Sequence, residues 1–445
     1  MDSAVDFSRY YSILNTTSPI RAYGKVSKVV GLVIEAEGLL ASLGSVCNIY
    51  PTEKSKPIKA EVLGFKDNKV LLMPLDDIRG ISSGSKVVAS EENALVPVGH
   101  DLLGRVIDGL GHPIDQKGPI NIEDKYPIYK PPYNPLNRNR INDPFDVGVR
   151  SINALLTIGR GQRMGIFAGS GVGKSVLIGM IARHTDADVN VIALIGERGR
   201  ELNEFIEKDL GEDGLKKSII VVATSDQLPL IRMRGAFIAT AIAEYFRDQG
   251  MNVNLMMDSV TRFAMAQREV GLALGEPPTT KGYTPSVFTL LPKLLERAGT
   301  SGQGTITGLY TVLVEGDDFN EPIADAVRSI LDGHISLTRD LAAQNHYPAI
   351  DIMKSISRVM IDIISPDHYE NIKKLKSVIS TYRKVEDMIN IGAYAKGSNP
   401  EIDYAVKMID RINIFLNQNI DEKICFEDSI HQLGVLFDTP VEGVN

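Results

Sequence analysis

The chain has 445 residues, 43% of them hydrophobic, and a formal net charge of −8. That length holds about three domains of roughly 150 residues, and the acidic balance argues against nucleic acid as the main partner, since phosphate backbones need a basic face. Two cysteines far apart, Cys47 and Cys425, and seven histidines with no metal-ligand spacing give neither a disulfide framework nor a zinc site, and fit a reducing cytosol.

The N-terminus, Met1 to Asp6, has no basic n-region and no apolar h-region, so no signal peptide is expected. Apolar runs such as Val29–Ile34 are too short to span a bilayer, and any membrane contact is expected to be peripheral. Within residues 1–23, Phe7, Tyr10, Tyr11 and Leu14 recur at helical spacing. This small amphipathic helix either packs on the chain's own next domain or docks a partner.

Residues 24–98 switch to short β runs: Val26 to Ile34, Ala60–Leu63, Val70–Met73 and Lys86–Ala89, broken at Gly64, Asp67-Asn68 and Gly84. Such spacing predicts a small closed β-barrel. Residues 99–150 are so rich in Gly and Pro that a connector with little regular structure is expected. From 151 to 347 strands alternate with helices. Ile166–Ala168, Val191–Ile195, Ile219–Ala223, Val253–Met257 and Ile306–Val314 are continuously apolar, which predicts an α/β domain with a buried parallel sheet. From 348 to 445 the pattern is helical, with Ala405, Met408, Ile409, Ile412 and Leu416 on one core-facing side.

The chemistry starts where the strand ending in Ala168 runs into Gly169-Ser170-Gly171-Val172-Gly173-Lys174-Ser175-Val176. Glycines let backbone N–H groups turn inward around phosphate oxygens, Lys174 can reach the β/γ-phosphates, and Ser175 can ligate Mg²⁺. The helix expected from Ser175 to about Ala182 adds its positive end. Ala168 stands where the strict pattern has its first Gly, so that position must tolerate a Cβ.

Phosphoryl transfer to water further needs a held Mg²⁺, a positioned water and positive charge on the phosphoryl group. Asp258 ends the strand Val253–Met257, the Walker-B position, where a carboxylate orients Mg²⁺, often through water. Glu197, in Gly196-Glu197-Arg198, sits at the carboxyl edge of the sheet, where ligands bind and a carboxylate can polarise the attacking water. Arg358, in Ser355-Ile356-Ser357-Arg358, reads by itself as an exposed helix residue; the alternative is an arginine finger given to a neighbour, which contributes roughly 10³–10⁵ in rate.

These motifs, in this order, resemble the catalytic subunits of rotary ATP synthases and, more closely, the ATPases of type III protein export. Gly104-Arg105-Val106-Ile107-Asp108-Gly109-Leu110-Gly111, Asp146-Val147-Gly148-Val149-Arg150 and Gly159-Arg160-Gly161-Gln162-Arg163 are similar to family signatures. Gly282 to Gly299, and Val314 to Pro322, are similar to the export type. The segment Gly392 to Pro400 replaces the acidic rotor-contacting loop of the synthase, which puts a synthase-style rotor contact in doubt.

The resemblance implies ATP and Mg²⁺ as substrate and metal. It implies Glu197 as the catalytic glutamate (non-catalytic sister subunits carry Gln there), Arg198 as a phosphate-side arginine, and Arg262 as a nearby polar-network residue. It further implies Tyr347 as the aromatic packing on adenine, Phe426 as the other side of that pocket, and Arg358 as the trans finger. A homohexamer is implied at the cytoplasmic mouth of an export apparatus, peripheral to the membrane. The implied partners are a stator-like regulatory protein, a stalk-like coiled coil, and chaperone–cargo complexes that it helps release and unfold. The flagellar branch is the nearer match, with the virulence branch as alternative. A hexameric nucleic-acid translocase, which shares the nucleotide core, is disfavoured by the acidic charge and the absence of aromatic-basic interleaving.

Overall fold

A computed structural model describes residues 11, 23–51, 56–90, 94–314 and 318–438. Apart from Tyr11 and Tyr23, the N-terminal segment expected to carry the amphipathic helix lies outside the described residues. The chain forms two compact units, Met1–Leu95 and Val96–Asn445.

In the first unit Tyr23–Val30, Val33–Glu37, Val46–Tyr50, Ile58–Lys66, Lys69–Pro74 and Lys86–Ala89 close into a barrel. Period-two alternation turns Val26, Ile34, Ala36, Ile49, Ala60, Val62, Leu72 and Val87 inward to one core. The apolar run Val26 to Ile34, expected as one strand, is two. Val30 pairs with Val33 across a two-residue turn that Gly31 enters at φ +58°. Cys47 faces the core, and burial pushes its thiol up to about 11, which leaves it unreactive.

The second unit is built on one sheet. Its order is Ile356–Ser357, Gly333–Leu337, Arg163–Ala168, Thr305–Leu313, Asn252–Asp258, Val189–Ile195, Ser218–Ala223 and Val106–Asp108, with Gly299–Thr300 alongside Thr305–Leu313. All neighbours are parallel except the two short strands Ile356–Ser357 and Gly299–Thr300. Val189–Ile195 and Ser218–Ala223 are buried at every position, because helices cover both faces. The helix Pro229–Asp248, buried from Pro229 through Arg247, packs on these two strands and on Asn252–Asp258.

Two expectations change here. The Gly/Pro-rich connector contains Val106–Asp108, the edge strand of the sheet. A three-residue strand is too short to show a period. It is fixed by Asp115, whose carboxylate accepts from Arg105 Nε at 2.7 Å and from the Val106 N–H at 3.1 Å. The region from 348 also does not begin helical: the chain first returns to the sheet at Ile356–Ser357, and the long helices are Pro366–Asn390, Pro400–Leu416 and Phe426–Asp438. Their Ile372, Leu375, Met408, Ile412 and Leu433 share one core with Leu155, Leu177 and Ile181 of the nucleotide region.

Arg297 and Glu244 form an ion pair with both side chains only 1% exposed, at 3.0 and 2.7 Å, and Arg297 Nη1 also donates to Ile128 O at 2.6 Å. Glu244→Ala strands a buried guanidinium and should cost about 3–5 kcal/mol. A thermal melt should drop by several degrees; an unchanged melting temperature would show that the pair contributes nothing.

Candidate active site

Parallel register brings the carboxyl ends of four strands to one edge, and the phosphate loop leaves from there. Ala168 is the last ladder residue, paired with Leu313 and Leu337, so a Cβ is accommodated as in any strand. Gly171 and Gly173 take φ of +79° and +86°, which side chains rarely adopt. Ser170 and Gly171 are exposed, and Val172 is buried as the loop's anchor. The following helix runs Lys174–His184, and no side chain caps its N-terminus, so its first N–H groups remain open to an anion. Ser175 is exposed in that first turn, and Val176 lies beside the adjoining cavity.

Lys174 Nζ lies 2.5 Å from Asp258 Oδ1 and 3.7 Å from Glu197 Oε1. Burial pulls the ammonium pKa down, but Asp258 and Glu197 outweigh it and the net shift is upward. Asp258, 4% exposed, is the last residue of its strand and also accepts from Thr311 Oγ1 at 2.7 Å. Ser259 then caps the helix Val260–Ala273 by accepting from the Arg262 N–H.

Glu197 is aimed by Gly196, whose φ of +73° turns the chain off the strand and whose N–H donates to Ala223 O at 2.7 Å. A Cβ at Gly196 would meet Arg262 Cβ at 2.7 Å, so Arg262 is drawn directly against this turn. Arg262 Nε and Glu197 Oε1 are both buried without a hydrogen-bond partner. Burial raises the Glu197 carboxyl and nearby Asp258 raises it further. Lys174 opposes them, and the pKa stands at about 7.

The remaining candidates are distributed differently. Arg198 is 67% exposed on its side chain and lies 3.6 Å from Glu201, outside the Lys174–Asp258–Glu197 cluster. Tyr347 is half exposed over Gly173, where a Cβ would be 3.5 Å from its ring. Beside it opens a cavity of about 630 Å³ bounded by Gly171, Val176, Tyr347, Asn417, Asn419 and Ile420. Phe426 does not line this cavity. It begins the last helix, its N–H donates to Asp146 Oδ2, and its ring meets His368 edge-on. The wall opposite Tyr347 is the turn after the helix Pro400–Leu416, where Asn417 Oδ1 accepts from the Tyr347 N–H at 2.9 Å.

Sequence reasoning missed this turn and what fixes it. Arg150 donates to Phe415 O, Asn417 O and Glu422, and its N–H donates to Gln418 Oε1. The Asp146-to-Arg150 motif therefore ties the helical region to the nucleotide core. The polar break Asn417-Gln418-Asn419 after an apolar helix was the available signal.

Arg358 is exposed and lies at the other end of the sheet. Ser357 pairs with Gly333, whereas the phosphate loop departs at the level of Leu337. Four residues along a strand are about 13 Å at about 3.3 Å each.

The donor set fits a nucleotide with its divalent cation. A cation, the Lys174 ammonium, already sits on Asp258, and the buried Glu197 Oε1 accepts no hydrogen bond. Among the described residues no group of three or more His, Cys, Asp and Glu could hold a metal ion.

The family descriptions that match are "ATP synthase alpha/beta family, beta-barrel domain" over 26–91, "ATP synthase alpha/beta family, nucleotide-binding domain" over 148–357 and "T3SS EscN ATPase C-terminal domain" over 364–434. The chain is 56% identical to a flagellum-specific ATP synthase of Bacillus subtilis over 430 residues, 95% of this chain and 97% of that one. It is similar to the assembled ATPase EscN of the enteropathogenic E. coli type III secretion system, with a TM-score of 0.88 and 48% identity over 93% of this chain and 99% of that one. It is also similar to EscN in complex with its central stalk EscO, with a TM-score of 0.86, 47% identity and the same coverage.

In the nucleotide-free protein the Glu197 carboxyl should titrate at about 7. Difference infrared spectroscopy against Glu197→Gln isolates its protonated C=O band. Asp258→Asn should move the midpoint down without bringing it to the ordinary range, because burial is the larger cause. A wild-type midpoint near 4.5 would contradict the buried placement beside Asp258.

Proposed function

This chain belongs to the type III export ATPases within the ATP synthase alpha/beta family, and from that premise we propose that it hydrolyses ATP to ADP and phosphate to energise flagellar protein export. The observation that carries the reading is Glu197: a carboxylate whose buried Oε1 accepts no hydrogen bond and lies 3.7 Å from the phosphate-loop lysine. A group that titrates near neutrality is matched to accepting a proton from water at working pH.

Lys174 exchanges Asp258 for the β/γ-phosphates as ATP enters, and Tyr347 packs against the base. Ser175, and Asp258 through water, are the residues that would hold Mg²⁺, which supplies charge neutralisation of the β- and γ-phosphate oxygens. Glu197 orients and polarises the attacking water. Arg262 and Arg198 add positive charge around the nucleotide.

Arg358 acts on a neighbour's γ-phosphate. Its position about 13 Å down the sheet from its own phosphate loop favours a role in trans over one in cis. That role requires a ring, and we propose a homohexamer, in keeping with the assembled state of EscN. A coiled-coil stalk partner is the counterpart of EscO. The further partners are a stator-like regulator and chaperone–cargo complexes, met at the cytoplasmic face of the membrane. No described helix is long and apolar enough to cross a membrane.

Glu197→Gln should bind ATP near normally while turnover falls by about 10²–10⁴; normal turnover removes Glu197 from the mechanism. In the wild type, kcat/KM should rise with pH through about 7, since it reports the free enzyme's base. Arg358→Ala and Lys174→Ala chains, each inactive, should regain activity when mixed under proven subunit exchange, because some interfaces then pair an intact site with an intact finger. No recovery would mean a cis arginine or a ring that needs every site. Expression in a non-motile strain lacking its flagellar ATPase should restore swimming; restoration of virulence-type secretion alone would move the chain to that branch.

A further inference from the structure

We infer that Thr311 is a positioning residue of the nucleotide site: its hydroxyl holds Asp258 for the metal when Lys174 leaves it. The inference rests on the ATPase reading above and adds a residue to it. Thr311 stands on Thr305–Leu313, the strand between the phosphate-loop strand and the strand that Asp258 ends. It is paired with Ile166 and is only 1% exposed.

Asp258 Oδ1 receives two donors, Lys174 Nζ at 2.5 Å and Thr311 Oγ1 at 2.7 Å. They differ in permanence. The lysine sits on a flexible four-carbon stem and has a second destination, the phosphates. Threonine is branched at Cβ and stiff at χ1, and here it is locked in a fully buried strand. Its one hydroxyl proton has a longer alternative, Met257 O at 3.3 Å, so the carboxylate is the better acceptor. A second threonine fixes the same strand end: Thr261 Oγ1 accepts from the Leu313 N–H at 2.9 Å. Once the lysine has moved, Thr311 keeps one carboxylate oxygen engaged and the carboxylate oriented, so that Asp258 would hold Mg²⁺ through water with its other oxygen.

The test is ADP affinity measured calorimetrically with and without Mg²⁺, on wild type, Thr311→Val and Thr311→Ser. Thr311→Val should weaken Mg·ADP binding by about tenfold, which is roughly 1.4 kcal/mol, and leave binding of ADP in EDTA unchanged. Thr311→Ser should restore the Mg²⁺ effect. Equal losses with and without Mg²⁺ would assign Thr311 to packing, and no change would mean that the hydroxyl serves Met257 O; either overturns the inference. If Thr311→Val gives no folded protein, Thr311→Ala removes the hydroxyl without added bulk and is read in the same way. A wild type whose ADP affinity ignores Mg²⁺ would instead overturn the reading on which the inference rests.

Discussion

Lys174 and Asp258 are 84 residues apart in sequence and share a hydrogen bond of 2.5 Å. That contact exists because two strands of one parallel sheet end at the same edge, with the strand carrying Thr311 between them. Helices cover the sheet on both faces, so its strands are largely apolar, and the acidic groups of the site stand where strands stop. Asp258, Glu197 and the phosphate loop are such stops. The cluster is costly to hold without a ligand: a lysine must neutralise two carboxylates in a buried place, and one carboxylate oxygen is left unbonded. Those costs are what an incoming phosphate and metal would relieve.

What could be read in the sequence was local and punctuated. The phosphate loop, Asp258 and Glu197 follow apolar runs long enough to fix their strands, and the glycines beside them mark turns that only glycine makes easily. The barrel was legible from its alternation, although Gly31 had to be seen as a hairpin to split the first run. Val106–Asp108 was not legible, because a short edge strand owes its place to Asp115 and to the neighbouring strand, not to its own pattern. Phe426 failed for a related reason. Its ring is taken by His368 and its N–H by Asp146, contacts formed across more than 50 residues that no local pattern announces.

Arg358 illustrates the opposite case. By itself the sequence favoured an ordinary exposed arginine, and its geometry within one chain is that of an exposed arginine at the far end of an antiparallel edge strand. The role proposed for it depends on the symmetry of a ring, a property of several copies that the packing of one chain does not contain.

The turn at residues 417–422 belongs to two structures at once. It walls the cavity beside Tyr347, and it is the end of a helix in the C-terminal bundle, clamped by Arg150. With the nucleotide bound in that cavity, as proposed, a load on the bundle that displaced the turn would alter nucleotide affinity, and an arriving nucleotide would push back on the bundle with the same free energy. On that reading the pocket wall would serve as a transmission element, its stiffness setting how much of the energy of binding reaches whatever the helices touch.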